Sequence, residues 1–298
     1  MVNTKAFAIV VLLAVGLVVF GLGSLSGGSS SVPVAASAPE PVAPSVIDPG
    51  GGSSGVALDH LPLMIRWSNW RPEFGPAFVY AREADLNGML NMDGPLEKMV
   101  MVTAYDEVER LMRFADELKA SGVTTIGFNT ENGAGMTPGS EMNTLNSADP
   151  EVNIVARAAH LATAEGFDVL WGPVRRTTDE ISDRAILTMM EAGVSGLAIQ
   201  EQKFIETQPS DSRLAAVNRT RERYLSLADS AGIGDFSFHV QIMQQRCPNL
   251  ANCVEFVEGL ESIPVDSIAI LSNGPIPVDF VNAIRMEPGN GRDILPAS

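Results

Sequence analysis

Short apolar runs alternate with amphipathic segments from about residue 61 onward. Eight of these runs have the length of a strand, at residues 63–67, 77–80, 99–104, 123–129, 168–174, 195–200, 236–243 and 266–271. The segments between them, most clearly 106–120 and 151–165, carry apolar residues at helical spacing. Such alternation is typical of parallel strands joined by helices. Eight strands in about 240 residues predict a (β/α)8 TIM-like barrel over residues 59–298.

Glycines mark the expected ends of the helices. Four of them follow a helical segment and precede a strand, as left-handed helix caps do: Gly122, Gly166, Gly193 and Gly232. Asp149 followed by Pro150 predicts the start of the helix at 151–165. An open doubly wound sheet is the alternative architecture. It usually carries a Gly-rich phosphate loop after its first strand, and none follows residues 63–67.

The first 58 residues have a different composition. Residues 6–23 are uninterruptedly apolar after the single cation Lys5, and about 18 residues at about 1.5 Å each nearly match a hydrocarbon core of about 30 Å. We therefore expect a single-pass signal anchor in the cell membrane, with residues 1–5 in the cytoplasm and the barrel outside. Secretion after cleavage of a signal before Ser24 is the alternative. Residues 24–58, rich in Gly, Ser, Pro and Ala, predict a disordered linker.

The net charge, the cysteines and the histidines of the chain limit which binding partners, disulfides and metal sites can be expected. A net charge of −16 and a pI near 4.5 would repel phosphate backbones, so nucleic acid is not an expected partner. Cys247 and Cys253 lie close enough in sequence for a loop-closing disulfide, which an exported domain would permit, and two free thiols are the alternative. The three histidines show no metal-ligand spacing and no phosphate-binding motif occurs, so neither a metal nor a cofactor is predicted.

Four of the apolar runs end in clusters of amide and carboxylate side chains, at 126–132, 197–203, 238–246 and 268–273. In barrels the functional residues lie at the carboxyl ends of the strands, so these clusters predict a polar pocket at that mouth. Strand alternation selects which side chains face inward. The predicted pocket residues are Asn129, Glu131, Arg175, Gln200, His239, Gln241, Gln245 and Asn273, with Trp67 and Trp171 nearby in sequence.

The residue types in this pocket indicate a ligand class. Amides supply paired donors and acceptors without net charge, and Trp faces fit sugar rings, so we expect a carbohydrate or another small polar ligand. Glycoside hydrolysis would require two carboxyl groups about 5–10 Å apart. Glu131 is the candidate acid or nucleophile, and Glu201 is its candidate partner. Alternation directs Glu201 outward, so it would need a bulge or a strand end to enter the pocket.

A family resemblance is carried by the stretches IGFNTENGAGMTP, FDVLWGPVRR, GLAIQEQKF, FHVQIMQQR and DSIAILSNGP. They resemble exported archaeal and bacterial proteins of uncharacterised function that look like glycoside-hydrolase-type (β/α) barrels, and the resemblance covers about residues 61–285. Such families place Glu or Asp at strand ends, a pattern that Glu131 and Glu201 match. The resemblance implies a glycoside-hydrolase-type barrel, and with the apolar run at 6–23 it leads us to expect a membrane-tethered protein that binds carbohydrate, with hydrolysis left open because Glu201 is expected to face outward. A noncatalytic surface protein for binding or envelope structure is the alternative.

Overall fold

The chain folds into a closed barrel of eight parallel strands. A computed structural model describes residues 61–75, 77–93, 96–130, 144–201, 209–247 and 250–285. The strands are β1 Leu63–Arg66, β2 Ala77–Arg82, β3 Leu96–Val102, β4 Val123–Thr130, β5 Asp168–Pro173, β6 Val194–Gln200, β7 Ser237–Met243 and β8 Ser267–Leu271. Each strand pairs with the next, and β8 pairs with β1 to close the ring. The predicted (β/α)8 barrel is confirmed, and the open-sheet alternative is excluded.

Helices surround the barrel. They are α1 Leu86–Leu90, α2 Tyr105–Met112, α3 Ala115–Ala120, α4 Ile154–Ala164, α5 Arg175–Glu180, α6 Asp183–Glu191, α7 Ser210–Ser230, α8 Leu250–Glu261 and α9 Val278–Arg285. Between β1 and β2 the described residues form two short 3-10 turns, Trp67–Asn69 and Pro72–Phe74, in place of an α-helix. The described residues of the first β/α unit therefore contain no α-helix.

Side chains alternate between two apolar layers along the strands. On β1, Leu63 and Ile65 join the large core beneath the helices, whereas Met64 belongs to a separate cluster inside the barrel. That inner cluster consists of Met64, Met99, Leu170, Ala198 and Ala269, with Phe78, Tyr80 and Met101 packed against it. Because successive residues of a strand point to opposite faces, two neighbours in sequence occupy different layers.

The helix ends agree well with the glycine pattern. The four predicted cap glycines all have positive φ, between 76° and 111°: Gly122, Gly166, Gly193 and Gly232. This left-handed conformation reverses the chain at little steric cost only when the residue lacks a Cβ atom. The predicted helix ends at these positions are confirmed.

Two predicted helix boundaries are wrong. The helix expected over 106–120 is interrupted, because α2 ends and α3 begins on either side of an exposed Phe114. The cap expected at Asp149 lies about one turn too early. Asn153 caps α4 instead, since its Oδ1 accepts hydrogen bonds from the N–H groups of Val155 and Ala156, both at 3.1 Å.

The predicted anchor at 6–23 and linker at 24–58 lie outside the described residues, so both remain predictions. Within the part of the chain that is described, no helix combines the length and the apolar character needed to cross a bilayer. The longest described helix, α7, is polar over much of its length.

The Trp67 ring covers the irregular first unit. It packs against the large core and lies directly over Gly88 of α1. A methyl group at Gly88 would lie 2.3 Å from Cη2 of the Trp67 ring, which is too close for two carbon atoms. The glycine is thus required by close packing rather than by its backbone angles.

We expect Gly88→Ala to lower the free energy of unfolding by about 1–3 kcal/mol, because the rigid ring must move. The clash should outweigh the preference for Ala over Gly in helices, about 1 kcal/mol. Urea unfolding measures the difference. Gly234→Ala is the matched control, since a methyl group there would meet no atom within 4 Å. A Gly88→Ala protein as stable as the wild type would contradict this packing.

Candidate functional site

Two cavities open from the barrel interior, one at each end. The mouth cavity, about 440 Å³, lies at the carboxyl ends of the strands. The basal cavity, about 750 Å³, lies at their amino ends. Met64 and Leu170 line both cavities, so the inner apolar cluster forms the floor of each. The parallel direction of the strands assigns each inward residue to one cavity by its position along the strand.

Three of the amide side chains that the sequence predicted for the pocket line the mouth cavity, namely Asn129, Gln241 and Asn273, whereas Gln200 and Gln245 are not among its lining residues. The cavity is lined by Met64, Arg66, Tyr80, Arg82, Met101, Asn129, Leu170, Gly172, Ala198, Gln241, Ala269, Leu271, Ser272 and Asn273. Asn129 is held in place from below by Gln200, whose Nε2 donates to the Asn129 Oδ1 at 2.9 Å. Asn129, Gln241 and Asn273 come together from three different strand ends, as alternation predicts.

Gln241 and Asn273 have a further property in common. Neither side-chain amide has a hydrogen-bond partner among the residues that the structure describes. Both line the mouth cavity, and they come from the neighbouring strand ends of β7 and β8. Unpaired amides that face a cavity are available to a ligand, because each offers two donors and an acceptor.

Among the lining residues that sequence reasoning missed are two cationic side chains and one aromatic side chain, Arg66, Arg82 and Tyr80. Their signal was present, since Phe78, Tyr80 and Arg82 alternate along β2 as the inward residues of the other strands do. Arg66 forms an ion pair with Asp85, so part of its charge is compensated. The described lining contains two arginines and no carboxylate.

Gln245 lies at the edge of the mouth. It belongs to the 3-10 turn Gln244–Arg246 after β7, and its Nε2 donates to the Ser272 Oγ at 2.8 Å. Ser272 lines the mouth cavity, whereas Gln245 is not among its lining residues. Gln245 therefore orients a lining hydroxyl from outside the cavity.

Glu201 lies in the helical layer and not in the mouth cavity. Its carboxylate is fully buried and pairs with Arg175, with 2.5 Å between Oε1 and the guanidinium Nη1. Arg175 begins α5 and also donates to the backbone oxygen of Ala216 in α7, at 3.2 Å. The N–H of Glu201 continues the ladder to the Gln241 oxygen at 2.9 Å, so no bulge turns the side chain inward. The predicted pocket roles of Glu201 and Arg175 need correction.

Burial dominates the electrostatics of Glu201. Loss of solvent raises its pKa from 4.5 to about 7, although the nearby charge of Arg175 acts in the opposite direction. Its second oxygen, Oε2, has no hydrogen-bond partner among the described residues. Arg213, also buried, contributes a further positive charge nearby. This carboxyl group is thus poised to bind a proton near neutral pH, but within the protein interior.

Glu131, the other predicted carboxylate, lies outside the described residues, in the segment that follows β4. A hydrolase needs both carboxyl groups at the same pocket. Because Glu201 faces α5 and α7, the pair of Glu131 and Glu201 does not form such a site. Any hydrolysis would need a different partner for Glu131.

His239 faces the lumen, as predicted, but it lines the basal cavity and not the mouth. Its ring is buried, and Nδ1 is 2.7 Å from the Ser267 Oγ in a hydrogen bond whose direction depends on the tautomer. Burial lowers the pKa of His239 to about 4, so the ring is neutral at pH 7. It lies two residues before Gln241 on β7, which places it on the far side of the apolar floor.

Neither predicted tryptophan lines the mouth cavity. Trp171 is 1% exposed and lies beneath the helices, where its Nε1 donates to the Thr130 Oγ1 at 2.9 Å and its ring packs near Tyr224. Alternation explains this placement, because its neighbours Leu170 and Gly172 face inward. Trp67 covers α1, as described above. Tyr80 is the aromatic side chain that lines the mouth.

A disulfide joins Cys247 and Cys253, with 5.8 Å between their Cα atoms. It links the end of the 3-10 turn after β7 to α8 and so closes the loop that follows the β7 end of the mouth. Within the described ranges, no group of three or more His, Cys, Asp and Glu side chains is arranged to hold a metal ion.

Comparison with known proteins gives similarity in fold. No family model and no curated protein matches the chain. Bee venom hyaluronidase, solved with a hyaluronic acid tetramer, is 11% identical, with a TM-score of 0.41 over 72% of this chain and 91% of its own. CitE from Mycobacterium tuberculosis, solved with magnesium and acetate, is 11% identical, with a TM-score of 0.41 over 77% and 92%.

D-psicose 3-epimerase from Clostridium cellulolyticum H10, solved with D-tagatose, is 12% identical, with a TM-score of 0.41 over 75% of this chain and 90% of its own. At such low identities and scores, these similarities carry no argument about the ligand or the reaction.

The buried Glu201 should make stability depend on pH. Since its pKa is raised from 4.5 to about 7, its ionisation opposes folding, and the free energy of unfolding should fall as pH rises from 4.5 to 7. We expect Glu201→Gln to remove a fall on the order of 3 kcal/mol, because a pKa difference of one unit corresponds to about 1.4 kcal/mol. Denaturant titrations at several pH values measure it.

Glu180→Gln is the matched control for this experiment. Glu180 also belongs to α5, but it is exposed and pairs only with Arg176 one turn away. Its replacement should leave the pH profile of the wild type unchanged. Identical profiles for wild type and Glu201→Gln would show that Glu201 does not titrate in the folded protein.

Proposed function

We propose that the protein binds carbohydrate in the mouth cavity. The observation that carries this proposal is the pair of unpartnered amides, Gln241 and Asn273, on neighbouring strand ends of one cavity. Each amide can donate to one sugar hydroxyl and accept from another without a change in charge. The cavity volume of about 440 Å³ suits a mono- or disaccharide unit.

The rest of the lining supports the same class of ligand. Tyr80 supplies an aromatic face, and Met101 and Leu271 supply apolar surface around it. Small-molecule pockets combine such apolar walls with a few fixed polar groups that orient the ligand. Gln200 orients Asn129 through their hydrogen bond, so the third amide is preorganised before the sugar binds.

Arg66 and Arg82 add positive charge at the rim of the cavity. A carboxylate on the sugar, as in a uronic acid, would meet a guanidinium there, and this charge-assisted contact would add affinity. Uronic acid units are therefore included among the proposed ligands beside neutral sugars.

Binding without hydrolysis is the form of the proposal that the described residues favour. Hydrolysis needs a general acid and a nucleophile or base. No carboxylate is found among the described lining residues of the mouth, and Glu201 is held by Arg175 in the helical layer. Glu131 alone could supply only one of the two groups.

We also propose that the barrel is exported and held at the cell membrane by residues 6–23. Two observations support this. The apolar run has the length of a membrane span, and the barrel carries a disulfide, which persists in oxidising compartments. The linker at 24–58 would then let the mouth cavity reach glycans at some distance from the membrane.

Gln241→Ala and Asn273→Ala should each weaken the binding of a glycan by roughly tenfold, because each removes hydrogen bonds that a sugar would make, together worth about 1–2 kcal/mol. A glycan array with neutral and uronic acid units identifies the ligand, and calorimetry gives the dissociation constants. Asn282→Ala, which removes an exposed amide from α9, is the matched control and should bind as the wild type does.

Equal affinities for all of these variants would refute the mouth site.

The same glycans should be incubated with wild type, Glu131→Gln and Glu201→Gln, and released sugars should be measured. We expect no hydrolysis by the wild type. Turnover that disappears in Glu201→Gln would contradict the placement of Glu201, and turnover that disappears only in Glu131→Gln would establish an enzyme.

Membrane attachment has a separate test. The full chain should sediment with membranes and resist extraction by high salt, whereas a chain that begins at residue 59 should stay in the soluble fraction, because residues 6–23 provide the apolar span. A protease added to intact cells should cleave the linker. Full-length protein that is soluble, with its N-terminus intact, would exclude the anchor.

A further inference from the structure

The basal cavity lies at the end of the barrel opposite the proposed carbohydrate site. It has a volume of about 750 Å³ and is lined by Met64, Phe78, Glu97, Met99, Thr124, Thr125, Asp168, Leu170, Ser195, Asp235, Ser237, His239 and Asp266. In barrels the amino-terminal end usually serves stability, so a large cavity there, lined by both apolar and acidic side chains, requires an explanation.

Carboxylates surround the opening of this cavity. Glu97, Asp168, Asp235 and Asp266 come from four different strand starts or the turns before them, and no Lys or Arg is among the described lining residues. Glu97, Asp168 and Asp235 have no hydrogen-bond or ion-pair partner among the described residues. Partial burial and the neighbouring Asp168 raise the pKa of Glu97.

His239 lies deeper in the same cavity and is only 4% exposed. Its Nδ1 is held by Ser267, while its Nε2 has no hydrogen-bond partner among the residues that the structure describes. The rings of Phe78 and His239 pack edge to face, with 6.1 Å between their centres. The side chain of His239 is thus almost fully buried and leaves one ring nitrogen without a described partner at the cavity, which is an independent sign of a binding site, because buried polar side chains usually have their hydrogen bonds satisfied.

The chemistry of the cavity selects the ligand. Its carboxylates attract a positive charge, its inner wall of Met64, Phe78 and Met99 accepts an apolar body, and aromatic rings and thioether groups tolerate cations. A bare metal ion fits less well, since the described side chains offer no cluster of three ligands. A neutral imidazole can accept a hydrogen bond from an ammonium group through Nε2.

We propose that the basal cavity binds an organic cation, an amine with an apolar body. Its ammonium group pairs with Glu97 and Asp168 and donates to Nε2 of His239, and its apolar part rests against Phe78 and the methionines. The site is separated from the mouth cavity by the inner apolar cluster, so this proposal does not depend on carbohydrate binding.

Benzylamine and its uncharged analogue benzyl alcohol are the probes. Nuclear magnetic resonance of the histidine ring nitrogens locates binding, because His160 is exposed on α4, is not among the cavity-lining residues, and serves as an internal reference. We expect benzylamine to shift the His239 signals with a dissociation constant below about 10 mM, and benzyl alcohol to bind roughly tenfold more weakly. The His160 signals should not move.

The double variant Glu97→Gln/Asp168→Asn should weaken benzylamine binding by about tenfold. Glu109→Gln/Glu117→Gln removes the same charge from exposed positions of α2 and α3 and should bind as the wild type does, which separates local pairing from the overall acidity of the protein. Circular dichroism and thermal unfolding check that each variant is folded.

Several results would overturn the proposal. One is the absence of any shift of the His239 signals at about 100 mM benzylamine. The others are an affinity for benzyl alcohol equal to that for benzylamine, or an equal loss of benzylamine affinity in both double variants. If Ca²⁺ or Zn²⁺ shifts the His239 signals with a lower dissociation constant than benzylamine does, the cavity would be assigned to a metal ion instead.

Discussion

The closed ladder of parallel strands is the constraint on which the other features depend. Once β8 pairs with β1, every strand has one face in the lumen and one beneath the helices, and no edge is free to shift. Neighbouring residues therefore have opposite roles. Gln200 reaches Asn129 inside the barrel, while Glu201, one residue later, pairs with Arg175 among the helices. A single residue of register separates a group near the ligand site from one buried in the helical layer.

The same ladder gives the two ends of the lumen opposite electrostatic character. The described lining of the mouth cavity contains two arginines and no carboxylate, whereas that of the basal cavity contains four carboxylates and neither Lys nor Arg. The apolar cluster around Met64 and Leu170 lies between them. The two ligands that we propose would therefore not compete, because each would meet only the groups at its own end of the barrel.

Much of this arrangement could be predicted from the sequence, and the failures have physical causes. Periodicity and the cap glycines predict the barrel, and alternation predicts the inward faces of Asn129, Gln241 and His239. Alternation does not give height along the barrel axis. Two residues of a strand rise about 6.6 Å, enough to place His239 below the apolar floor and Gln241 above it. Trp171 was assigned by proximity in sequence, although its neighbours on β5 indicate the outward face.

The partnership of Arg175 with Glu201 and Ala216 joins residues far apart in sequence, so no local pattern indicates it. A buried ion pair adds little net stability, because desolvation of both charges offsets their attraction. The main contribution of the pair of Arg175 and Glu201 is therefore to fix the relative positions of the elements that it connects. One guanidinium connects the turn after β5, the residue after β6 and α7. At the same strand ends, Gly172 lines the mouth cavity and Gln200 donates to Asn129. Apolar side chains could fill the same volume, but they would not hold these strand ends in one relative position.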